Sequence, residues 1–532
     1  MSGKIKQADS ILHNGTIYTV DAHFSVQQAV AITNGSISAV GSNQYILQNY
    51  QSANIVNLRG AYVYPGFNDA HCHLLRYARQ LGEVQLFGLT SWQAVVQQLQ
   101  QYHRQNPHLA AIIGRGWDQN LWNPAVMPDK TDLDTFFPDI PVLLTRIDLH
   151  AAVANSAALQ LAGITHETTI DGGIVHLNQQ GQTSGLLIDN AVYFVEQHFP
   201  PILPQQFEQL LLAAQHNCHA VGLTSLTDAL VMQPDLKVLF TLQNKELLKI
   251  KINALILGTD ENLAYYFESG KQKTPYVNAG SFKFFADGAL GSRGAWLLEP
   301  YTDEPATGGL QLLPETDFVN KLKAIYQHGF QVATHAIGDA ANRFVLEAYR
   351  KVLPTKNALR WRLEHAQILH PKDLPIIGQY NIIPSVQPIH ATSDMYWVKN
   401  RLGNRINHAY NYKTLLHTAG LVASGSDFPV EPINPLLGFY AAVSRKDVSG
   451  FPENGFRAHE ALTRIQALKS MTIWAAYASF EEQEKGSIEP GKMADLTILD
   501  TDLLLHNIEN APKAKVLGTM VNGRMVYNAG LD

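Results

Sequence analysis

The sequence predicts an α/β protein: a barrel of alternating strands and helices, with a small β domain contributed by both chain ends. Three observations carry this. The first sixty and last fifty residues are rich in short apolar β runs, and the middle alternates amphipathic helical stretches with apolar strands. Polar, metal-seeking side chains recur at the ends of those strands. At 532 residues the chain exceeds what one core normally supports, so a barrel with an insertion, or a second domain, is expected.

Near the N-terminus the apolar runs 29–33 and 36–40 meet at Asn34-Gly35, the strongest short hairpin signal. Asn14-Gly15, between Ile11-Leu12 and the run 17–20, predicts a second hairpin. The far end repeats the pattern with runs 495–499 and 516–521, then Asn522-Gly523 and 524–527. Residues 1–60 and 486–532 are therefore assigned to the small β domain, and 61–485 to the barrel.

Within the barrel, 204–220 reads as a helix ending near Gly222 before the run 223–226. Residues 315–328 read as a helix stopped by Gly329 before 330–334. Residues 412–419 end at Gly420 before 421–425, and a helix over 340–352 precedes 360–363. Such units suffice for eight strands. Residues from about 75 to 204 break the rhythm, with Trp117, Trp122, several prolines and Asp171-Gly172-Gly173. They read as an insertion after the first barrel strand, where added segments commonly cover the catalytic mouth.

Hydrophobic residues at 46% and charged ones at 16% describe a globular chain. A net charge of −6 with no Lys/Arg run gives no footprint for nucleic acid or an anionic membrane, leaving a small molecule as the default partner. Cys72 and Cys218 are the only cysteines, which excludes a disulfide scaffold and suits a reducing compartment. With no secretory apolar core at the N-terminus and no membrane-length apolar run, the expectation is a cytoplasmic protein, with a homodimer as the base-rate assembly.

The chemistry concentrates at strand ends. Asp69-Ala70-His71-Cys72-His73 follows the β-rich run 61–67, and alternation along a strand puts His71 and His73 on one face, able to share a metal ion. His335 follows 330–334, His365 follows Glu364 at the end of 361–363, and Asp427 follows 421–426. Any one of these has an ordinary reading, as a loop-bonding histidine or a turn-forming aspartate. Their recurrence at one barrel face points to a metal site. Lys283, alone inside the aromatic run 281–285, is a snorkelling lysine, one paired with Asp287, or one of lowered pKa that takes up carbon dioxide as a metal-bridging carbamate.

These motifs resemble the amidohydrolase superfamily, and within it the branch that includes N-substituted formamide deformylases. The carrying segments are Pro65 to His73, Lys283 to Gly288, Thr334 to Asp339, Glu364-His365-Ala366, Gly425 to Pro429 and Lys485 to Leu496, spread over nearly the whole chain. The resemblance implies a distorted (β/α)8 TIM-type barrel with a β-sandwich built from both termini. It implies that His71 and His73 bind one metal and His335 and His365 another, with a carboxylated Lys283 between them. Asp427 touches the first metal and shuttles protons. One or two divalent ions, most often zinc, then hydrolyse a C–N bond of an amide, N-acyl or N-formyl amine through an activated hydroxide.

Two other readings stay open. A deaminase of the same superfamily shares the histidines and the terminal aspartate, but usually lacks the strand lysine and carries a glutamate where this chain has Ile337-Gly338-Asp339. A non-catalytic barrel scaffold would be expected to have lost metal ligands. For the substrate, Arg293 and His150 are candidate oxyanion partners, and Trp117 and Asp118 candidate pocket residues in the insertion.

Overall fold

Alternation along the strand Val277–Phe285 organises the barrel around it. Phe282 and Phe284 turn outward, with ring centroids 5.1 Å from Phe330 and 5.4 Å from Phe318 respectively, while Lys283 and Phe285 face the barrel interior and its cavity. The computed structural model describes residues 5–147, 151–170 and 173–531. These fall into two compact units, Met1–Tyr77 with Leu212–Asp532, and Ala78–Leu211.

In the larger unit eight parallel strands pair in chain order: β1 (Phe67–Cys72), β2 (Leu223–Val231), β3 (Lys251–Leu257), β4 (Val277–Phe285), β5 (Gln331–Ala336), β6 (Arg362–His365), β7 (Ile383–Val386) and β8 (Ala423–Ser424). The ring is brought nearly to closure where Asp427 N–H donates to His71 O at 2.7 Å and His73 N–H to Phe428 O at 2.8 Å. This is the expected (β/α)8 barrel of TIM type. The helices Pro204–Ala220, Glu315–Gln327 and Tyr412–Ala419 stand where the apolar periodicity predicts them. The last ends on Gly420 at φ +82°, a left-handed cap that glycine adopts without a Cβ penalty.

Both termini build the sheets beside the barrel. One has the order Ser36–Gly41, Ala29–Thr33, Ser10–His13, Ile55–Asn57. The other runs Arg524–Asn528, Val516–Val521, Leu496–Leu499, Tyr62–Pro65, Thr16–Tyr18, Val26–Gln27. Leu12, Ile17, Val30, Val63, Leu496 and Met520 share one buried cluster, so residues from opposite ends of the chain complete a single core. Asn34-Gly35 and Asn522-Gly523 join paired strands, with φ of 51° and 75°, and 48° and 71°.

Asn14-Gly15 does not make a hairpin. The strands it connects lie in different sheets, and the turn carries the chain from one to the other. A Cβ on Gly15 would stand 2.5 Å from Leu58 Cδ1, so close packing rather than strand pairing explains that glycine. Gly66 performs a similar transfer. The apolar run through Tyr64 and Phe67 is two strands, and the chain leaves the sandwich for the barrel at a residue whose Cβ would meet Thr224 Oγ1 at 2.2 Å.

The smaller unit is more ordered than its irregular composition suggests. Its six strands run Val84–Gln85, Ile112–Trp117, Val142–Arg146, Ala151–Ala154, Thr183–Asp189, Gly173–Leu177. Its core includes Leu99, Ile112, Trp117, Trp122 and Leu144.

Candidate functional site

Parallel register brings the chemistry to one end of the barrel. Phe285 pairs with His335, His335 with Glu364, and Ala336 with His365, so the polar ends of β4, β5 and β6 lie side by side. They line a cavity of about 380 Å³ with His71, His73, Lys283, His335, His365, His390 and Asp427 on its wall. The cavity is formed by the larger unit.

His71 is held from behind. Its Nδ1 is 2.5 Å from Glu364 Oε2, and Glu364 is gripped by Arg362 at 2.7 and 3.0 Å. Arg362 also donates to Ala70 O and Ser385 Oγ, tying β6 to β1 and β7. All three side chains are buried. The arrangement directs His71 Nε2 into the cavity, the way a carboxylate behind a metal-binding imidazole fixes its ring.

Asp69 performs a second act of positioning. Its carboxylate accepts from His71 N at 3.0 Å and from Ser426 N and Oγ at 3.1 and 2.6 Å, joining β1 to the turn that presents Asp427. Burial pushes Asp69 up to about 7. His365 and Asp427 have φ of 69° and 63°, left-handed conformations that cost on the order of 1–3 kcal/mol each and recur at functional sites.

Asp427 Oδ1 lies 3.1 Å from His73 Nε2 and 3.7 Å from His71 Nε2, and its Oδ2 is 3.3 Å from His390 Nε2. Burial opposes its charge, yet His390, His73 and the neighbouring imidazoles hold it well below the usual carboxylate range. The cavity imidazoles move the other way. Burial, aided by Lys283, holds His71 down at about 4 and His335 at about 3, and burial beside His335 and His71 holds His365 well below its ordinary value.

Neutral imidazoles beside an ionised carboxylate are the protonation states a divalent cation requires. His71, His365 and Asp427 offer ligand atoms all within 4.8 Å of one another. His71 Nε2, His335 Nε2, His365 Nδ1 and Lys283 Nζ are buried with no hydrogen-bond partner. Polar atoms are seldom orphaned in this way, and the imidazole donors among them, with the Asp427 carboxylate, fit a metal ion. Lys283 is fully buried, 4.9 Å from the Phe285 ring, and burial lowers it to about 8. It does not pair with Asp287, which instead accepts from the backbone of Trp296, Ile337 and Gly338.

Residues 54–527 match the amidohydrolase family. The chain belongs to the amidohydrolase family. It is 36% identical over 527 residues to YtcJ of Bacillus subtilis (strain 168), named as an amidohydrolase, a match that covers 97% of this chain and 99% of that one. It is 27% identical to the N-substituted formamide deformylase of Arthrobacter pascens, over 98% of each chain. The fold matches a metal-dependent hydrolase from Pyrococcus furiosus at a TM-score of 0.80 and 28% identity, over 93% of this chain and 99% of that one. This amidohydrolase is thus a metal-dependent hydrolase by family.

The substrate-side expectations fare differently. Trp117 is fully buried in the core of the smaller unit and its indole N–H donates to Leu144 O at 2.7 Å, so it packs that unit instead of lining a pocket. Asp118 pairs with Arg146 at 3.0 Å and caps the turn at Asn120. Arg293 pairs with Asp303 at 3.2 Å and is not on the cavity wall. His150 lies outside the described residues. The reading of the sequence missed His390, which bridges Asp427 and Glu431. It sits in the helix Pro388–Asp394 just after β7, and its place beyond a strand end was the one available signal.

Proposed function

We propose that this amidohydrolase cleaves a C–N bond of a small molecule, an amide or an N-acyl or N-formyl amine. His71, His73, His335, His365 and Asp427 would hold one or two divalent ions, zinc first among them, with a carboxylated Lys283 between. The observation that supports this reading is the convergence of four buried side-chain atoms without a hydrogen-bond partner, from β1, β4, β5 and β6, with Asp427 from the turn after β8, on one cavity. Likeness to an N-substituted formamide deformylase supports the amide class.

A bound divalent ion supplies a water of lowered pKa and polarises the substrate carbonyl. The remaining work belongs to the chain. Asp427, ionised at neutral pH, accepts the proton of the attacking water and returns it to the departing nitrogen. His390, raised to about 10 by Asp427 and Glu431 against the cost of burial, keeps the Asp427 carboxylate oriented through Oδ2 and leaves Oδ1 facing the histidines. Glu364 and Arg362 hold His71 in register. Phe285, Leu290, Ile337 and Trp397 give the cavity an apolar wall. A lysine lowered to about 8 has a far larger neutral fraction near pH 7 than an exposed one, the form that reacts with carbon dioxide. The free, buried thiols of Cys72 and Cys218 suit a reducing cytoplasm.

Metal analysis of the purified protein, joined to a hydrolysis screen over N-formyl and N-acyl amines, tests the proposal. Transition metal near one or two equivalents, with release of an amine and a carboxylate, is expected. Ammonia from aminopurines alone, or protein that neither carries nor takes up metal, would overturn it.

A further inference from the structure

The cavity that holds the metal-seeking atoms also carries a carboxylate with no part in that cluster. Asp394, last residue of the helix Pro388–Asp394, lies on the wall with Trp397 and Gln367. A negative charge at a helix C-terminus opposes the helix dipole, so the helix itself gains nothing from it. Tyr410 Oη–H donates to Asp394 Oδ2 at 2.7 Å and Gln367 Nε2 to the same oxygen at 3.3 Å. Both donors are neutral. Among the described residues no donor reaches Oδ1, and no cation pairs with this carboxylate.

Charge accounting over the wall isolates it further. Glu431 is engaged by His390 and Ser393, and Asp427 by His390 and the imidazole cluster. Of the two cations present, His390 is already held between those two carboxylates, and Lys283 is lowered and directed at the metal-seeking atoms. Among the described residues no arginine lines the cavity, and Arg401, near Trp397, is committed to Asp303 and to Gly291 O. Burial pushes Asp394 up, offset in part by the charge of His390, which is itself hydrogen-bonded to Asp427 and Glu431 and not to Asp394. Among the described residues the wall thus offers a substrate carboxylate no uncommitted side-chain cation, while Asp394 is suited to pair a substrate cation.

We infer that Asp394, with Trp397 as apolar wall, forms a subsite for a positively charged nitrogen, and that the substrates are amides bearing a second, cationic group remote from the scissile bond. This rests on the amide-hydrolase reading for the bond cleaved, but the subsite itself can be read without turnover. Benzyltrimethylammonium, which has no lone pair to offer a metal, and benzyl alcohol, its neutral counterpart, are titrated calorimetrically into zinc-loaded wild type and Asp394→Asn. Asparagine keeps an oxygen acceptor for Tyr410 and Gln367, so the fold is preserved. The expected result is an ammonium affinity at least about tenfold weaker in the variant, with benzyl alcohol changed less than about twofold.

Equal ammonium affinity in both proteins, equal loss of both ligands, or no ammonium binding by wild type each overturn the subsite. A hydrolysis screen run beside it separates the parent reading. If no amide is cleaved while the ammonium contrast holds, the bond assignment fails and the cation subsite stands.

Discussion

His71 Nδ1 lies 2.5 Å from Oε2 of Glu364, and that contact fixes which nitrogen of the imidazole faces the cavity. With Arg362 on its other oxygen, Glu364 stays ionised despite complete burial. The pair stabilises one ring orientation in advance of any ligand.

Glu364→Gln removes the negative partner and leaves Arg362 buried without its counter-charge. Metal affinity should fall by about 10–100-fold, and stability by about 3–5 kcal/mol. Equilibrium dialysis against zinc and urea denaturation measure the two effects, and an unchanged zinc affinity would refute the positioning role.

Lys283→Ala removes the lone amine of β4. Wild-type protein reconstituted with metal is expected to gain activity when bicarbonate is supplied, and the variant to show no such gain. Because the amine is lowered to about 8, reconstitution should proceed faster at pH 8.5 than at pH 6.5. Full activity in the variant would end the carbamate proposal.

Asp427→Asn keeps the side-chain shape but cannot accept a proton. A loss of kcat of roughly 10²–10⁴-fold is expected. Steady-state kinetics normalised to bound metal separate this from simple metal loss. A kcat within a few-fold of wild type would remove Asp427 from proton transfer.

Acid should weaken the contribution of the buried cavity imidazoles to the stability of the metal-free protein. His71 at about 4 and His335 at about 3 lie below the ordinary 6.5, so the unfolded chain binds more protons as pH falls through the range 6.5 to 4, and folding weakens there. Asp427 and Glu364, both held low, act in the same direction further down. His390 acts oppositely: its stabilisation is full below 6.5 and lost as pH rises through about 10. Asp69, pushed up to about 7, acts against this loss, since its stabilisation grows as pH falls through 7. Comparing denaturation midpoints of metal-free wild type and His335→Asn at pH 7.5 and pH 5.0 isolates the imidazole contribution, the wild type losing more on acidification than the variant.

Gly425→Ala would put a Cβ 2.3 Å from His71 N and 2.6 Å from His71 O, at the seam where β8 meets β1. Reduced metal content and a lower melting temperature are expected together. Gly420→Ala, in a left-handed cap with no atom within 4 Å of the new Cβ, should cost only about 1 kcal/mol and leave metal binding intact.

Much of the architecture was legible because periodicity is local. Glycine stops such as Gly329 and Gly420, and the hairpins at Asn34-Gly35 and Asn522-Gly523, follow from backbone preferences that neighbours hardly alter. Asn14-Gly15 shows the limit. The dipeptide specifies a turn, but whether the flanking strands pair depends on which apolar faces find each other. Trp117 shows another, since an aromatic residue in an irregular stretch reads alike whether it lines a pocket or fills a core.

The sequence by itself determined the alternation that points His71 and His73 together and the polar residues at strand ends. Those depend on spacing of one or two residues. Only the tertiary structure decided that Glu364 and Arg362 brace His71, that Asp69 fastens the Asp427 turn, and that His390 bridges Asp427 and Glu431. Asp69 and Ser426 are 357 positions apart, and His71 and Glu364 are 293 apart. Contacts of that range arise from closing a barrel, where parallel register fixes which strand ends become neighbours, and no local propensity encodes them.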